Sequence, residues 1–136
     1  MKIKYDETVM KTVALFESLT GARVKDAVIG EYALFIVYEN EMGKAIGKKG
    51  SNVRHIEHLL KKKVKVVEFS SDAVQFVRNM IEPLKAADIK EENSAIVIYG
   101  PDVRTKGLLI GRDRKNINHL ADVVKRYFSI AEIKVV

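Results

Sequence analysis

The chain has 136 residues, 47% of them apolar, so a packed core can form and a globally disordered protein is excluded. It contains no cysteine, which excludes disulfides and thiolate metal sites, and it has neither an apolar run long enough to cross a bilayer nor a signal peptide in "MKIKYDETVM". These exclusions favour a cytoplasmic protein without a membrane partner, and the net charge of +6 indicates a polyanionic partner.

The first half of the chain alternates helical and strand patterns. The segment "DETVMKTVALFESLTG" carries Val9, Val13 and Phe16 at helical spacing and predicts a helix. The β-branched and aromatic runs "ARVKDAVIG" and "YALFIVYE" predict a β-hairpin. A short helical turn and a glycine corner follow, and then "SNVRHIEHLLKKK" predicts an amphipathic helix and "VKVVEF" a strand. The apolar stripe predicted for this amphipathic helix consists of Val53, Ile56, Leu59 and Leu60.

The second half repeats this order. "SSDAVQFVRNMIEP" predicts a helix capped by Ser71 or Asp72, and "AADIKEE" and "SAIVIYG" predict two strands. The segment "PDVRTKGLLIGRDRKNINHLADVVKRYF" predicts a turn, a helix, a corner and a second helix, and "AEIKVV" closes as a strand. We therefore expect two copies of one small α/β unit rather than a single domain.

An offset of 64 residues aligns the corner and the following helix of the two halves. Ile46-Gly47 aligns with Ile110-Gly111, and the aligned polar pairs are Asn52 with Asn116 and His55 with His119. The final strands align after a few extra residues in the second copy. The repeat predicts a first domain at residues 1–70 and a second at residues 71–136.

Positive charge is concentrated around the glycine corner of the first copy. Between Lys44 and Lys65 the chain has eight basic residues and one acidic residue, Glu57. This segment alone carries more net positive charge than the whole chain, so any polyanion is expected to bind near it.

The corner "AIGKKGSNV" allows three interpretations. A phosphate-binding P-loop fails, because Gly43 and Gly47 are separated by three residues instead of four, and Lys49 stands where a hydroxyl is required. A plain turn between two helices is compatible with the glycines, which accept positive φ without penalty. The third interpretation is a site that grips a polynucleotide backbone.

The residues around the corner favour the third interpretation. A glycine backbone lets phosphate oxygens approach main-chain amides, and a helix starting near Ser51 adds free amides and a partial positive charge. Lys48 and Lys49 add charge. The apolar residues expected to support unstacked bases are Ala45, Ile46 and Val53.

"AIGKKGSNV" resembles the Ile-Gly-x-x-Gly-x-x-Ile signature of KH domains. The element order, with an extra helix first and a strand last, resembles the type II variant. The resemblance covers essentially the whole chain as two tandem copies, an arrangement similar to the short archaeal NusA-like transcription factors. It implies an α+β fold of two tandem type II KH domains, each α-β-β-α-α-β with a three-stranded mixed sheet packed against helices. It also implies a factor that binds single-stranded RNA during transcription elongation, termination or antitermination, with RNA polymerase as a second partner.

The resemblance further implies two RNA-binding sites. The first comprises Ala45, Ile46, Gly47, Lys48, Lys49, Gly50, Ser51, Asn52 and Arg54, and the second comprises Ile110, Gly111, Arg112, Asp113, Arg114, Lys115 and Asn116. We call residues 47–50 the first corner and residues 111–114 the second corner. The second corner departs from the signature: Arg114 replaces the second glycine, which should hinder close approach, and Asp113 is negative where phosphate should lie. We expect a weaker or differently aimed second site, in which the neighbouring cations compensate in part.

Two alternatives remain open at this stage. The same corners could serve a ribosome-associated or RNA-processing protein, or the chain could be an adaptor for RNA polymerase with vestigial corners. No convergent catalytic set is found, so we do not expect an enzyme. His55, His58 and His119 are interpreted as surface or packing residues, so we expect no metal and no cofactor. We further expect a monomer.

Overall fold

Each half of the chain folds in the predicted order of helix, strand, strand, helix, helix, strand. A computed structural model describes residues 7–136, so the first six residues of the predicted first domain lie outside the described part. The described residues form two compact units, 7–70 and 71–136.

Unit 7–70 consists of a three-stranded mixed sheet and three helices. Its elements are α1 (Glu7–Thr20), β1 (Val24–Ile29), β2 (Ala33–Val37), α2 (Met42–Ile46), α3 (Ser51–Leu60) and β3 (Val64–Glu68). The strand order is β1-β2-β3, with β1 antiparallel and β3 parallel to the central β2. The predicted hairpin is confirmed, and the β2 to β3 connection contains α2, the first corner and α3.

The core of this unit lies between the helices and one face of the sheet. Phe16 of α1 stacks on Phe35 of β2 with ring centroids 4.1 Å apart, and Ile56 of α3 is buried in the same cluster. The expectation that Leu59 belongs to this apolar stripe is wrong, because its side chain is exposed while Leu60 packs against the core. Leu60 lies on the core side of α3, about 100° of helical rotation away from Leu59, which faces solvent.

Two glutamates fasten helices to the strands that follow them. The Glu17 carboxylate of α1 accepts a hydrogen bond from the Val24 amide at 2.9 Å, and the Glu57 carboxylate of α3 accepts one from the Val64 amide at 2.9 Å. Each bond satisfies the first amide of an edge strand. The second bond helps to hold α3, and with it the first corner, against the sheet.

Unit 71–136 repeats this architecture. Its elements are α4 (Ala73–Ile81), β4 (Asp88–Glu92), β5 (Ala95–Tyr99), α5 (Val103–Ile110), α6 (Lys115–Val124) and β6 (Glu132–Val135). The strand order is β4-β5-β6, again with one antiparallel and one parallel pair. Of the two predicted caps for α4, Asp72 is confirmed, since its side chain accepts a hydrogen bond from the Val74 amide at 3.3 Å. Asp102 caps α5 in the same way.

Candidate nucleic-acid interface

The first corner joins α2 to α3 through a sharp reversal of the backbone. Gly47 has φ 75° and ψ 173°, Lys49 has φ 54° and ψ 31°, and Gly50 has φ 76° and ψ 15°. Three of its four residues therefore have positive φ, which residues other than glycine rarely adopt. The reversal exposes the side chains of Lys48 and Lys49 to solvent at the start of α3.

The second corner follows nearly the same backbone path between α5 and α6. Gly111 has φ 77° and ψ 169°, Asp113 has φ 54° and ψ 30°, and Arg114 has φ 63° and ψ 20°. Arg114 thus adopts the left-handed conformation that Gly50 adopts in the first corner, at a cost of about 1–2 kcal/mol. The backbone keeps the same shape although residue 114 is not glycine, so the two corners differ chiefly in their side chains.

An asparagine braces each corner from the following helix. The Asn52 side-chain nitrogen donates a hydrogen bond to the Lys44 carbonyl at 2.7 Å, and the Asn116 nitrogen donates one to the Leu108 carbonyl at 2.8 Å. Both bonds span eight residues and tie the last turn of one helix to the first turn of the next. We infer that these asparagines fix the helix-to-helix angle at both corners.

The braces explain why the first glycine of each corner is retained. A Cβ atom at Gly47 would lie 2.7 Å from Asn52 Cγ, and one at Gly111 would lie 2.6 Å from Asn116 Cγ. In addition, φ near +75° with ψ near 170° belongs to a region that is essentially restricted to glycine. The first position of each corner therefore requires glycine for two reasons: its backbone conformation is restricted to glycine, and the bracing asparagine leaves no space for a Cβ atom.

Not all amides of the first corner are free. The Gly47 amide donates to the Gly43 carbonyl at 3.0 Å, the Gly50 amide donates to the Gly47 carbonyl at 3.1 Å, and the Ser51 amide donates to the Lys48 carbonyl. The expectation that the glycine backbone offers its amides to phosphate oxygens is therefore wrong for Gly47 and Gly50, because both amides already donate to backbone carbonyls. Within residues 7–136, no such backbone hydrogen bond engages the other two corner amides, those of Lys48 and Lys49.

Arg54, which is predicted to contact RNA, has a structural role in the first corner, as Asn52 does, whereas Ser51 does not cap α3. The Arg54 guanidinium donates to the Lys49 carbonyl at 2.6 Å and so supports the corner from the next helical turn. Ser51 is the first residue of α3, and the cap position belongs to Gly50, which makes no side-chain hydrogen bond. The second corner lacks the arginine support, because the residue aligned with Arg54 is Asn118.

The apolar residues behind the first corner divide into core and surface. Ala45 is fully buried in the core cluster, whereas Ile46 keeps 36% of its area exposed and Val53 is half-buried. A base resting behind the corner would meet Ile46 and not Ala45. Ile110, the counterpart of Ile46, is half-buried.

The second corner presents a mixed charge. Arg112, Asp113, Arg114 and Lys115 are all exposed, so three cations surround one carboxylate. Asn116 is exposed apart from its brace. The structure therefore brings the predicted residues of each site together around one corner, and no residue of the two predicted sets lies elsewhere in its unit.

Sequence reasoning missed Glu41, which directly precedes α2, the helix that leads into the first corner. Its buried carboxylate accepts a hydrogen bond from the Arg23 amide at 2.8 Å and pairs with the Lys44 ammonium at 3.4 Å. The Arg23 amide and the two neighbouring cations hold the pKa of Glu41 below its usual range. An acid just before the start of a helix is favoured by the helix dipole, and its position before α2 was the available signal.

Other kinds of site are not found in the described residues. No group of three or more histidine, cysteine or acidic side chains in residues 7–136 is arranged to hold a metal ion. Over the same residues, none of the helices combines the length and apolar character needed to span a membrane. The expectation of no cofactor remains a prediction.

The two corners acquire a family context from known proteins. Residues 13–77 match the family model of the KH domain, which includes the first corner and α3. The crystal structure of APE1850 is similar in fold, with a TM-score of 0.75 and 26% sequence identity over 97% of this chain and 100% of that chain.

Curated relatives extend the similarity over the whole chain. The chain is 34% identical to a protein of Methanococcus vannielii named probable transcription termination protein NusA, over 100% of this chain and 81% of that protein. A protein of Halococcus morrhuae with the same name is 33% identical over 98% of this chain and 99% of that protein. The transcription termination/antitermination protein NusA of Bacillus subtilis is 37% identical over 55% of this chain and 21% of that protein. These similarities confirm the resemblance inferred from the corner motif: the chain belongs to the family of NusA-like KH-domain proteins.

Proposed function

We propose that this chain binds single-stranded RNA through the first corner and acts as a NusA-like factor in transcription elongation, termination or antitermination. The observation that carries the proposal is the convergence of two unengaged amides, two exposed ammonium groups and a helix start at residues 48–51. Family membership supports an RNA-binding role, and the relatives named as termination proteins support the cellular one.

The proposed grip acts on the RNA backbone. Phosphate oxygens accept hydrogen bonds from the Lys48 and Lys49 amides, and the lysine side chains supply screened positive charge. The ten-residue helix α3 adds the partial positive charge of its N-terminus at the same place. The bases lie on the other side of the RNA backbone, against Ile46 and Val53.

We further propose that both units are type II KH domains, with boundaries at residues 1–70 and 71–136. The shared element order, the matching corner dihedrals and the paired asparagine braces support this division. The second corner is the weaker site, because Asp113 repels phosphate while Arg112, Arg114 and Lys115 attract it. Two linked sites raise the effective RNA concentration at the second once the first is filled.

The remaining parts of the proposal concern partners and place. RNA polymerase is the proposed protein partner, by relation to the termination proteins. The chain is proposed to be a cytoplasmic monomer without catalytic activity. A binding role needs no catalytic group, and the corners contain cations, amides and a single carboxylate.

The salt dependence of RNA affinity tests the backbone grip. A KH corner holds about four nucleotides, so the logarithm of the association constant is expected to fall against the logarithm of salt concentration with a slope near −3. Fluorescence anisotropy with a labelled random-sequence single-stranded RNA at several salt concentrations gives this slope. A flat salt response would rule out the phosphate grip, and the same titration with duplex RNA controls for single-strand preference.

A further inference from the structure

An exposed aromatic ring lies between β2 and α2, the helix that leads into the first corner, and it is not part of the core cluster. Tyr38, directly after β2, keeps 38% of its area exposed. The Arg23 guanidinium lies over this ring at 5.1 Å from its centroid, and the Lys25 ammonium lies over it at 5.6 Å. The ring thus combines an accessible apolar surface with two adjacent positive charges.

Arg23 is held in place without being buried. The Glu41 carboxylate accepts the Arg23 amide hydrogen bond and lies 3.5 Å from the Arg23 Nε. The Arg23 side chain nevertheless stays 73% exposed. A guanidinium that stacks on an aromatic ring and stays open to solvent offers a second planar face to a ligand.

A chain of contacts connects this ring to the first corner within unit 7–70. Glu41 pairs with Lys44, the Lys44 carbonyl accepts the Asn52 brace, and Asn52 packs against Gly47. Helix α2, which lies between Glu41 and the corner, has five residues and a length of about 7.5 Å. Only this short helix therefore separates the first corner from Glu41, whose carboxylate accepts the Arg23 hydrogen bond.

We propose that Arg23 and Tyr38 form a base-stacking subsite for single-stranded RNA next to the first corner. This proposal rests on the proposed function of that corner. A nucleobase stacks on the Arg23–Tyr38 platform, and the exposed Arg23 guanidinium adds positive charge beside the flanking phosphates. Stacking of a base on an aromatic side chain contributes about 1–3 kcal/mol and tolerates any base.

The subsite is specific to the first unit. In the second unit Gly100 follows β5 where Tyr38 follows β2. The preceding residue, Tyr99, is half-buried, and the Lys90 ammonium, not a guanidinium, lies 5.7 Å from its ring centroid. The first corner therefore has both a full glycine motif and a stacking platform, whereas the second corner has neither.

RNA length separates the subsite from the corner. Two labelled random-sequence RNA pools, of about 4 and about 10 nucleotides, are titrated against wild type, Tyr38→Leu and Tyr38→Phe. Wild type is expected to bind the longer pool more tightly. Tyr38→Leu is expected to lose about 5- to 150-fold in affinity for the longer pool, so that much of the length-dependent gain disappears. Tyr38→Phe, which keeps the ring, is expected to retain wild-type affinity.

Three outcomes separate the subsite from the function on which it rests. Equal affinity of Tyr38→Leu and wild type for the longer pool would overturn the subsite. Equal loss in Tyr38→Leu and Tyr38→Phe would also overturn it, because stacking needs the ring and not the hydroxyl. Failure of wild type to bind either pool would overturn the proposed function itself. Thermal unfolding of each variant checks that the fold is kept.

Discussion

The double substitution Lys48→Asp with Lys49→Asp is expected to weaken RNA binding by a factor on the order of 100 or more. It reverses two charges at the place where phosphate is proposed to bind. The fold is expected to persist, because both side chains are exposed and aspartate already occupies the matching left-handed position in the second corner, at Asp113. Fluorescence anisotropy with single-stranded RNA gives the affinity, and thermal unfolding confirms the fold.

A matched pair of substitutions controls for total charge. Lys11→Asp with Lys85→Asp removes the same charge from two exposed lysines outside both corners. This control is expected to change RNA affinity far less than the corner variant. Equal losses in the two double variants would mean that affinity follows net charge and that the first corner has no special role.

Replacing Gly47 with alanine is expected to destabilise unit 7–70 by about 2–4 kcal/mol. The backbone region required at this position costs a non-glycine residue about 1–3 kcal/mol. In addition, the new Cβ atom would lie 2.7 Å from Asn52 Cγ and 3.0 Å from the Asn52 amide nitrogen. Urea unfolding followed by circular dichroism gives the difference in free energy of unfolding.

Gly43→Ala is the matched control for this experiment. Gly43 lies within α2, lacks positive φ, and has no atom within 4 Å of a built Cβ. It is expected to be neutral or to stabilise the protein by up to about 1 kcal/mol. If Gly47→Ala unfolds at the same urea concentration as Gly43→Ala, the corner does not require glycine and its described geometry is wrong.

The element order was predictable because each element has a clear local signal. Val9, Val13 and Phe16 repeat at helical spacing, and the two runs around Gly30 are rich in β-branched and aromatic residues, as strands are. The repeat supported this element order a second time, since the same order was predicted independently in each copy. Leu59 was misplaced because helical spacing marks a stripe but does not decide which of two adjacent leucines faces the sheet.

The site was predictable in position but not in detail. The corner motif located Lys48 and Lys49. The hydrogen bonds that the Gly47 and Gly50 amides donate depend on dihedral angles that the sequence does not specify. Ala45 was assigned to the surface because its burial follows from the packing of α2, which a five-residue segment does not reveal. The backbone of the second corner was also unforeseen, since the sequence does not show that Arg114 adopts the left-handed conformation of Gly50.

The asparagine brace shows which further signal the sequence held. Asn52 and Asn116 align at the repeat offset, and an identical polar residue in two otherwise diverged corners indicates a shared backbone requirement. Its partners, the Lys44 and Leu108 carbonyls, could not be inferred, because main-chain atoms leave no trace in the side-chain pattern. The role of Glu41 could not be inferred for the same reason, since its partner is also a main-chain group, the Arg23 amide.

The most direct test of the phosphate grip is the amide spectrum of the first corner during an RNA titration. In an 15N-resolved NMR experiment with a single-stranded RNA, the Lys48 and Lys49 amide protons are expected to shift downfield most strongly, because they gain charge-assisted hydrogen bonds. The Gly47 and Gly50 amides, which already donate within the turn, are expected to shift less. RNA binding that leaves the Lys48 and Lys49 amide shifts unchanged would contradict the account.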